Sequence, residues 1–243
     1  DGPDRAAAAG TAFGRFLRAL AGLPPTAIEE TLPAFQDLGR RLRELDAALE
    51  GAPRSRREEA APLLAAVEGR RGRIAPLAGP PRVLHGDPKL SNVLFPEDAG
   101  PAATGPAATG PAATGPAVID YDTVLVGPLA WDFGAFLRST AARGEEDAPE
   151  AAGVDPALLQ AAAAAFLAAG PAPAREETGE LARAPAVIAF TLAVRFLADH
   201  LAGDRYFRVR RPGQNLDRAR TQLRLADDFA AQEARLRSRV ERA

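Results

Sequence analysis

The chain has 243 residues, 47% of them hydrophobic, so it is long enough for one or two globular domains with a sizeable core. Its formal net charge is -2 and its basic residues are interspersed with acidic ones, which argues against nucleic acid or an anionic membrane as a partner. The sequence has no cysteine, which excludes disulfides and thiolate metal sites and leads us to expect a cytoplasmic protein.

Three residue types are scarce in this chain. Lys89 is the only lysine, the two histidines are His85 and His200, and the two asparagines are Asn92 and Asn215. Members of all three types therefore meet in one short stretch, "VLHGDPKLSNVLF". The chain also lacks methionine and begins with aspartate, so we expect an N-terminal part to be missing.

The first 80 residues have helical patterns. Residues 4–22 place Phe13 and Leu17 on one apolar stripe, and a Pro-Pro pair ends this pattern. Residues 35–50 and 56–70 continue with charged faces, separated by the turn-like "GAPRS". This part of the chain is therefore predicted to be helical.

Short strands are predicted next. "RVLHGD" and "NVLF" are brief apolar pieces, and "AVIDYDTVLV" is rich in β-branched residues, which indicates a small β-hairpin with polar loops. A repeat, "GPAATGPAATGPAATGPA", interrupts these strands and has neither charge nor large side chains. Residues 99–116 are accordingly predicted to form a flexible loop insertion.

Helical patterns return after the strands. They cover residues 130–143, 155–169, 181–202 and a long segment at 215–240, for which Asn215 is the expected N-cap. The predicted fold class is α+β and mostly α-helical, with one small β element that carries the polar cluster.

The polar cluster has the residue types that phosphoryl transfer needs. Such a reaction requires a group that orients the acceptor hydroxyl, a cation near the transferred phosphate, and oxygen ligands for Mg²⁺. Asp87 can accept the hydroxyl proton, and Lys89 follows on the same loop. Asn92 and Asp120, the latter at the end of a strand in "IDYD", offer the hard oxygens that Mg²⁺ prefers.

The spacing H-x-D-x-K-x-x-N followed by "IDYD" resembles the catalytic loop and metal-binding motif of the protein-kinase-like fold. It is similar in particular to the aminoglycoside phosphotransferase and choline kinase superfamily. The blocks "KLSNVLF", "IDYDTVLVGPLAWDFGAFLRS", "AVRFLADHLAGDRYF" and "NLDRARTQLRLA" resemble bacterial N-acetylhexosamine 1-kinases most closely. The sequence departs from that pattern at Gly86, often asparagine in the family, and at Ala135, often acidic.

The resemblance implies a role for each matching residue. Asp87 would be the catalytic base, Lys89 a contact of the γ-phosphate, and Asn92 with Asp120 the ligands of Mg²⁺. ATP would be the phosphate donor and the anomeric hydroxyl of an N-acetylhexosamine the acceptor. Choline, homoserine and aminoglycosides are alternative acceptors in the wider superfamily.

The resemblance also implies supporting and substrate-binding residues. Asp132 in "WDFG" would anchor the catalytic loop, and Arg195 with Tyr206 would line the sugar pocket. His85 is interpreted as a scaffold of the loop. Asp122 is equally compatible with binding a second metal ion and with ordering its loop.

Structural readings of the two pocket residues remain open. Arg195 lies in an apolar helical pattern and has Asp199 one turn later as a possible ion-pair partner. Tyr206 is also compatible with a core aromatic residue whose hydroxyl is hydrogen-bonded.

A kinase of this fold has a smaller lobe that binds the nucleotide through a Gly-rich loop and a lysine. The sequence contains no G-x-G-x-x-G and no second lysine. We therefore expect residues 1–243 to be the C-terminal lobe alone, without the N-terminal β lobe, and to be inactive by itself. The alternative is a non-catalytic interaction module with a kinase-like fold.

Overall fold

The computed structural model describes residues 2–29, 31–32, 34–96 and 115–243. Helices dominate these residues and the strands are short, which confirms the predicted mostly helical α+β class. The helices of the described residues are α1 (Pro3–Leu20), α2 (Leu38–Gly51), α3 (Arg54–Arg71), α4 (Leu129–Ala141), α5 (Pro156–Ala169), α6 (Thr178–Ala202), α7 (Gln214–Ala230) and α8 (Glu233–Val240).

The strands form small antiparallel pairs. They are β1 (Arg82–Leu84), β2 (Val93–Leu94), β3 (Ala117–Val118), β4 (Leu125–Gly127), β5 (Ala142–Arg143) and β6 (Gly153–Val154). The predicted hairpin is formed by β2 and β3, and β1 pairs with β4 beside it. The predicted flexible loop, residues 99–116, lies outside the described residues except for Gly115 and Pro116.

Helix α6 is the centre of the fold. It packs against α2, α4, α7 and α8, and most of its side chains are buried. By length and hydropathy the segment Arg175–Ala202 is apolar enough to cross a membrane, but 78% of its most apolar window is buried inside the protein. Burial by neighbouring helices is typical of a core helix, because a helix that is apolar on all sides must be covered on all sides.

The helix predicted at 215–240 is instead two helices. Helix α7 ends at Ala230 and α8 begins at Glu233, with a turn between them. After this turn, α8 packs against α5 and α6 and buries Leu236 and Val240. The sequence around the bend has neither glycine nor proline, so local signals did not predict it.

The expected N-cap role of Asn215 is also wrong. Gly213, with φ of 72°, precedes helix α7, and Asn215 lies inside the helix. Its amide donates hydrogen bonds of 2.9 Å to Asp199 Oδ2 and to Asp204 Oδ1. A buried amide in this position ties the end of α6 to α7, which explains why an asparagine is present.

The buried ring of His200 leads us to predict that the stability of the fold depends on pH. Its ring is 2% exposed and neither ring nitrogen has a hydrogen-bond partner among the described residues. Burial lowers the pKa of His200, and the nearby Arg56 charge acts in the same direction against Asp204 and Glu59. The folded state therefore holds a neutral ring where the unfolded chain protonates at the ordinary histidine pKa of about 6.5.

We expect the contribution of His200 to the free energy of unfolding to fall as pH is lowered through this range, because the unfolded state binds a proton at this ring first. The buried carboxyl of Asp132, whose pKa is raised to about 6, acts in the opposite direction but equally in the native chain and the variant. The comparison is urea denaturation of the native chain and of His200→Leu between about pH 7.5 and pH 5.5. The native chain should lose more stability on acidification than the variant. Equal losses in the two proteins would show that His200 titrates normally in the fold.

Candidate functional site

The loop after β1 is held by a buried carboxylate. Asp132, in the first turn of α4, is 1% exposed and accepts hydrogen bonds from the backbone N–H groups of His85 (2.7 Å) and Gly86 (2.9 Å). Burial raises the pKa of Asp132 to about 6, opposed by the two N–H donors. This carboxylate therefore orients the backbone immediately before Asp87.

The ring of His85 connects this loop to the neighbouring strand. Its Nε2 lies 3.0 Å from the carbonyl oxygen of Ile119, and its Nδ1 lies 3.3 Å from the backbone nitrogen of Asp87. These partners fit the tautomer in which Nε2 donates and Nδ1 accepts. Phe13 and Phe16 pack against the fully buried ring with centroid distances of 5.4 Å, so the first helix also supports the loop.

Gly86 is required by a close approach of two backbone segments. It adopts φ of 88°, and a Cβ atom there would lie 2.1 Å from the carbonyl oxygen of Thr123. The Thr123 hydroxyl in turn donates to the His85 carbonyl at 3.0 Å, and Gln36 Nε2 donates to the Gly86 carbonyl at 3.2 Å. A larger residue here would push the loop away from the 121–123 turn.

Asp87 and Lys89 form an ion pair at the open end of the loop. Their side chains are 32% and 37% exposed, so both charges reach solvent without a large desolvation cost. The pair presents a proton acceptor and a compact cation next to each other. A bound ligand that competes for Lys89 would free the Asp87 carboxylate for a hydroxyl group.

Asn92 and Asp120 lie at the same end of the β2–β3 hairpin. Asn92 Nδ2 donates to the Asp87 carbonyl at 2.9 Å, and the Asn92 carbonyl accepts from the backbone nitrogen of Ile119 at 3.0 Å. Asp120 follows Ile119 directly and adopts a left-handed conformation, with φ of 70°. The backbone of Asn92 therefore lies next to the residue that precedes Asp120, and the Asn92 side chain lies against the backbone of Asp87.

The donor set at this place fits Mg²⁺. The amide nitrogen of Asn92 is occupied by the Asp87 carbonyl, which leaves the amide oxygen as the available ligand atom. Asp120 is exposed and adds carboxylate oxygens. Within the described residues no three His, Cys, Asp or Glu side chains converge. This is compatible with Mg²⁺, which keeps several waters and takes other oxygens from substrate phosphates.

Asp122 remains unassigned. It is exposed in the 3₁₀ turn Tyr121–Thr123, and its backbone carbonyl accepts a hydrogen bond of 2.7 Å from the Thr31 hydroxyl. This contact involves the backbone rather than the carboxylate.

A cavity joins the charged loop to the expected substrate residues. Asp87 and Lys89 line a cavity of about 270 Å³ together with Arg195 and Tyr206. A second cavity of about 510 Å³ lies on the other side of Arg195, and Tyr206 and Phe35 line both. Residues that are far apart in the sequence therefore line two neighbouring cavities that share Phe35, Arg195 and Tyr206.

Arg195 is surrounded by aromatic rings and forms no ion pair with any residue that the structure describes. Its guanidinium carbon lies 4.4 Å from the centroid of Phe35 and 5.4 Å from that of Phe207. Burial lowers the pKa of Arg195 to about 10, and Arg41 adds to the effect. The alternative pairing with Asp199 does not occur.

Asp199 is instead fully engaged by the segment after α6. Its two carboxylate oxygens accept hydrogen bonds of 2.8–3.0 Å from the backbone nitrogens of residues 205–207. This network holds Tyr206 at the mouth of the cleft. Tyr206 is 65% exposed, which excludes the core-aromatic reading, and its hydroxyl lies 3.5 Å from Arg195 Nη2.

Two further charged residues of the cleft were missed by the sequence analysis. Arg138 on α4 and Glu146 in the segment that follows β5 both line the smaller cavity. Burial lowers the pKa of Arg138, and the charges of Glu146 and Asp87 oppose the shift. An arginine in the apolar pattern of α4 was an available signal for the first residue. Glu146 had none, because it reaches the cleft from an irregular segment.

The fold and this loop geometry define the class of kinase-like phosphotransferases. The profile of the APH phosphotransferase enzyme family matches residues 1–181, and the chain belongs to this family. The match includes His85 to Asp132 but ends before Arg195 and Tyr206. Family membership therefore bears on the transfer of a phosphoryl group, not on the identity of the acceptor.

A solved structure has a similar fold. The crystal structure of a choline/ethanolamine kinase family protein from Mesorhizobium loti superimposes with a TM-score of 0.51 at 15% sequence identity. The superposition covers 100% of this chain and 70% of that chain. At this identity the similarity concerns the fold alone.

Proposed function

We propose that this chain is the catalytic lobe of an ATP-dependent kinase that phosphorylates a hydroxyl group of a sugar. The observation that carries the proposal is the shared cavity, in which Asp87 and Lys89 face Arg195 and Tyr206. A sugar in this cavity would have a hydroxyl beside a carboxylate and its ring beside aromatic and guanidinium groups.

Asp87 would orient the acceptor hydroxyl and accept its proton, because its carboxylate lies on the loop that borders the cavity. Lys89 would hold the transferred phosphate as a compact cation. Asn92 and Asp120 would hold Mg²⁺, which neutralises charge on the phosphates of ATP when bound. Asp132 and His85 would keep the loop in this arrangement through the backbone contacts described above.

The charge of the cleft favours a sugar over the alternative acceptors. Choline and aminoglycosides are cations, and cation-binding sites attract such ligands with aromatic faces and carboxylates. Here the guanidinium of Arg195 already occupies the position over the Phe35 ring. A second cation would be repelled at this point. A neutral polyol, in particular an N-acetylhexosamine with its carbonyl as an acceptor for Arg195, fits the same surroundings.

The nucleotide requires a further lobe in this proposal. Lys89 is the only lysine of the chain and lies in the catalytic loop, so no lysine is left to pair with the α- and β-phosphates. We infer that a β-rich lobe outside this chain supplies that contact. The chain alone would then bind an acceptor but not turn it over.

The test is a phosphorylation assay with the protein extended by its nucleotide-binding lobe. ATP consumption would be followed with a panel of N-acetylglucosamine, N-acetylgalactosamine, choline, homoserine and kanamycin, with and without Mg²⁺. We expect Mg²⁺-dependent transfer to an N-acetylhexosamine and none to the cations. If calorimetry detects no ATP binding to the extended protein, the chain is a non-catalytic interaction module and the proposed kinase function is wrong.

A further inference from the structure

The smaller cavity contains two polar side chains that have no role in the proposed mechanism. Arg138 on α4 and Gln36, in the segment before α2, line it together with Asp87 and Lys89. The cavity has a volume of about 270 Å³, and α6 contributes apolar side chains to its wall, namely Ile188, Leu192 and Phe196. The polar groups of this wall are therefore few, and each has a defined position.

The guanidinium of Arg138 is partly buried and has no hydrogen bond or ion pair with any residue that the structure describes. Glu146, whose charge interacts with Arg138, forms its ion pair with Arg218 Nε at 2.9 Å. The carboxylate of Asp87 is paired with Lys89. A guanidinium carries five N–H donors, and donors that lose water need other acceptors. Arg138 therefore offers unused donors to a ligand in the cavity.

The amide of Gln36 has one engaged end and one open end. The side chain is 9% exposed, and its Nε2 donates to the Gly86 carbonyl at 3.2 Å. This contact fixes the orientation of the amide, because only its nitrogen can donate to a carbonyl. Among the described residues, none donates to the oxygen Oε1. Gln36 thus offers a hydrogen-bond acceptor in the wall of the same cavity.

A donor and an acceptor in one cavity match the hydroxyl groups of a sugar, since a hydroxyl both donates and accepts. The charges of Glu146 and Asp87 act on Arg138 and disfavour an additional anion beside it. The positive charges of Arg138 and Lys89 disfavour a cation. Neutral oxygen groups are therefore the ligands that fit this part of the cavity.

We propose that Arg138 and Gln36 bind non-reacting hydroxyl groups of the acceptor sugar, with Arg138 donating to a hydroxyl oxygen and Gln36 Oε1 accepting from a hydroxyl. The proposal rests on the proposed function, since it takes the cavity beside Asp87 as the acceptor site. Arg195 differs from these two residues because it also lines the larger cavity. Arg138 and Gln36 hold the sugar while Asp87 meets the reacting hydroxyl.

The test is calorimetric titration of the 243-residue chain with N-acetylglucosamine, without nucleotide. Arg138→Met should weaken binding about tenfold or more, the usual effect of losing a charge-assisted hydrogen bond. Arg54→Met, the same change at an exposed arginine on α3, should bind as the native chain does. Equal dissociation constants for the native chain and folded Arg138→Met would overturn the proposal, and so would a native chain that binds no sugar.

Deoxy analogues separate a lost sugar contact from a distorted cavity. Analogues of N-acetylglucosamine that lack the hydroxyl on carbon 3, 4 or 6 are titrated into the native chain, Arg138→Met and Gln36→Leu. A distorted cavity, or the lost contact of Gln36 with Gly86, weakens all analogues alike. A lost contact with one hydroxyl spares the analogue that lacks this hydroxyl.

We therefore expect, for each variant, one analogue that binds as tightly as N-acetylglucosamine although the native chain distinguishes the two. The absence of such coupling for both variants would contradict the proposed contacts. Circular dichroism and thermal unfolding check that the variants fold. Arg138→Lys replaces Arg138→Met in these titrations if the latter unfolds, because lysine keeps the charge without the planar fork of donors.

The titrations do not require phosphoryl transfer, so the two proposals can fail separately. Coupled sugar binding without kinase activity in the extended protein would refute the proposed function and leave the sugar contacts standing. Transfer to N-acetylglucosamine with an unchanged KM for the sugar in both variants would do the reverse. A higher KM for ATP alone in Arg138→Met would place Arg138 at the phosphates and overturn the assigned contact.

Discussion

Asp87→Asn should lower kcat for sugar phosphorylation by about 10²–10⁴-fold, the usual contribution of a positioned proton acceptor. The substitution removes the charge that accepts the hydroxyl proton and retains the size of the side chain. The loop should keep its shape, because the backbone contacts of His85 and Gly86 with Asp132 do not involve the Asp87 carboxylate. The measurement is steady-state kinetics of the protein extended by its nucleotide-binding lobe.

The dissociation constant of ATP should change little in this variant, since the assigned group acts mainly in the transition state. Asp227→Asn is a matched control, because Asp227 pairs with Arg70 on α3 and lies outside the two cavities that Arg195 borders. It should retain the native kcat. An undiminished kcat in Asp87→Asn would refute the role assigned to this carboxylate.

The second large effect is on stability. Asp132→Ala should lower the free energy of unfolding by about 3 kcal/mol or more, because it leaves two buried backbone N–H groups without an acceptor. These groups belong to His85 and Gly86, which are buried in the folded chain. Urea denaturation of the native chain and the variant measures the difference.

Two further variants make the result specific. Glu50→Ala removes an exposed carboxylate from α2 and should change stability by no more than about 0.5 kcal/mol. Asp132→Asn keeps one oxygen acceptor and should lie between the native chain and Asp132→Ala. A loss below about 1 kcal/mol for Asp132→Ala would mean that the loop is held by the contacts of the His85 ring instead.

The two predictions concern two carboxylates, Asp87 and Asp132, whose surroundings differ. Asp87 is partly exposed and accessible to a ligand, whereas Asp132 is buried and accepts hydrogen bonds from backbone N–H groups. The partly exposed carboxylate of Asp87 thus lies on a loop whose backbone is held by the buried carboxylate of Asp132. The stability of the fold thereby maintains the geometry of the site.

The mostly helical architecture and the small hairpin could be derived from the sequence, because helical periodicity and β-branched runs are local signals. The spacing of Asp87, Lys89 and Asn92 on one loop is local as well, and it predicts phosphoryl-transfer chemistry without knowledge of tertiary contacts. The bend between α7 and α8 could not be derived in this way. It depends on the surfaces of α5 and α6 that bury Leu236 and Val240.

The sequence by itself determined the helical class and the catalytic-loop motif, since residue types and spacings along the chain suffice for both. The tertiary structure decided what surrounds them. Only the packing of α2, α6 and the segment after α6 brings Phe35, Arg195 and Tyr206 to one cleft. Only the network around Asp199 keeps this carboxylate from pairing with Arg195, which forms no ion pair with the residues that the structure describes. A carboxylate one helical turn away in the sequence is a possible ion-pair partner of an arginine. Which donors this carboxylate accepts is determined by the competition among all donors in the folded chain.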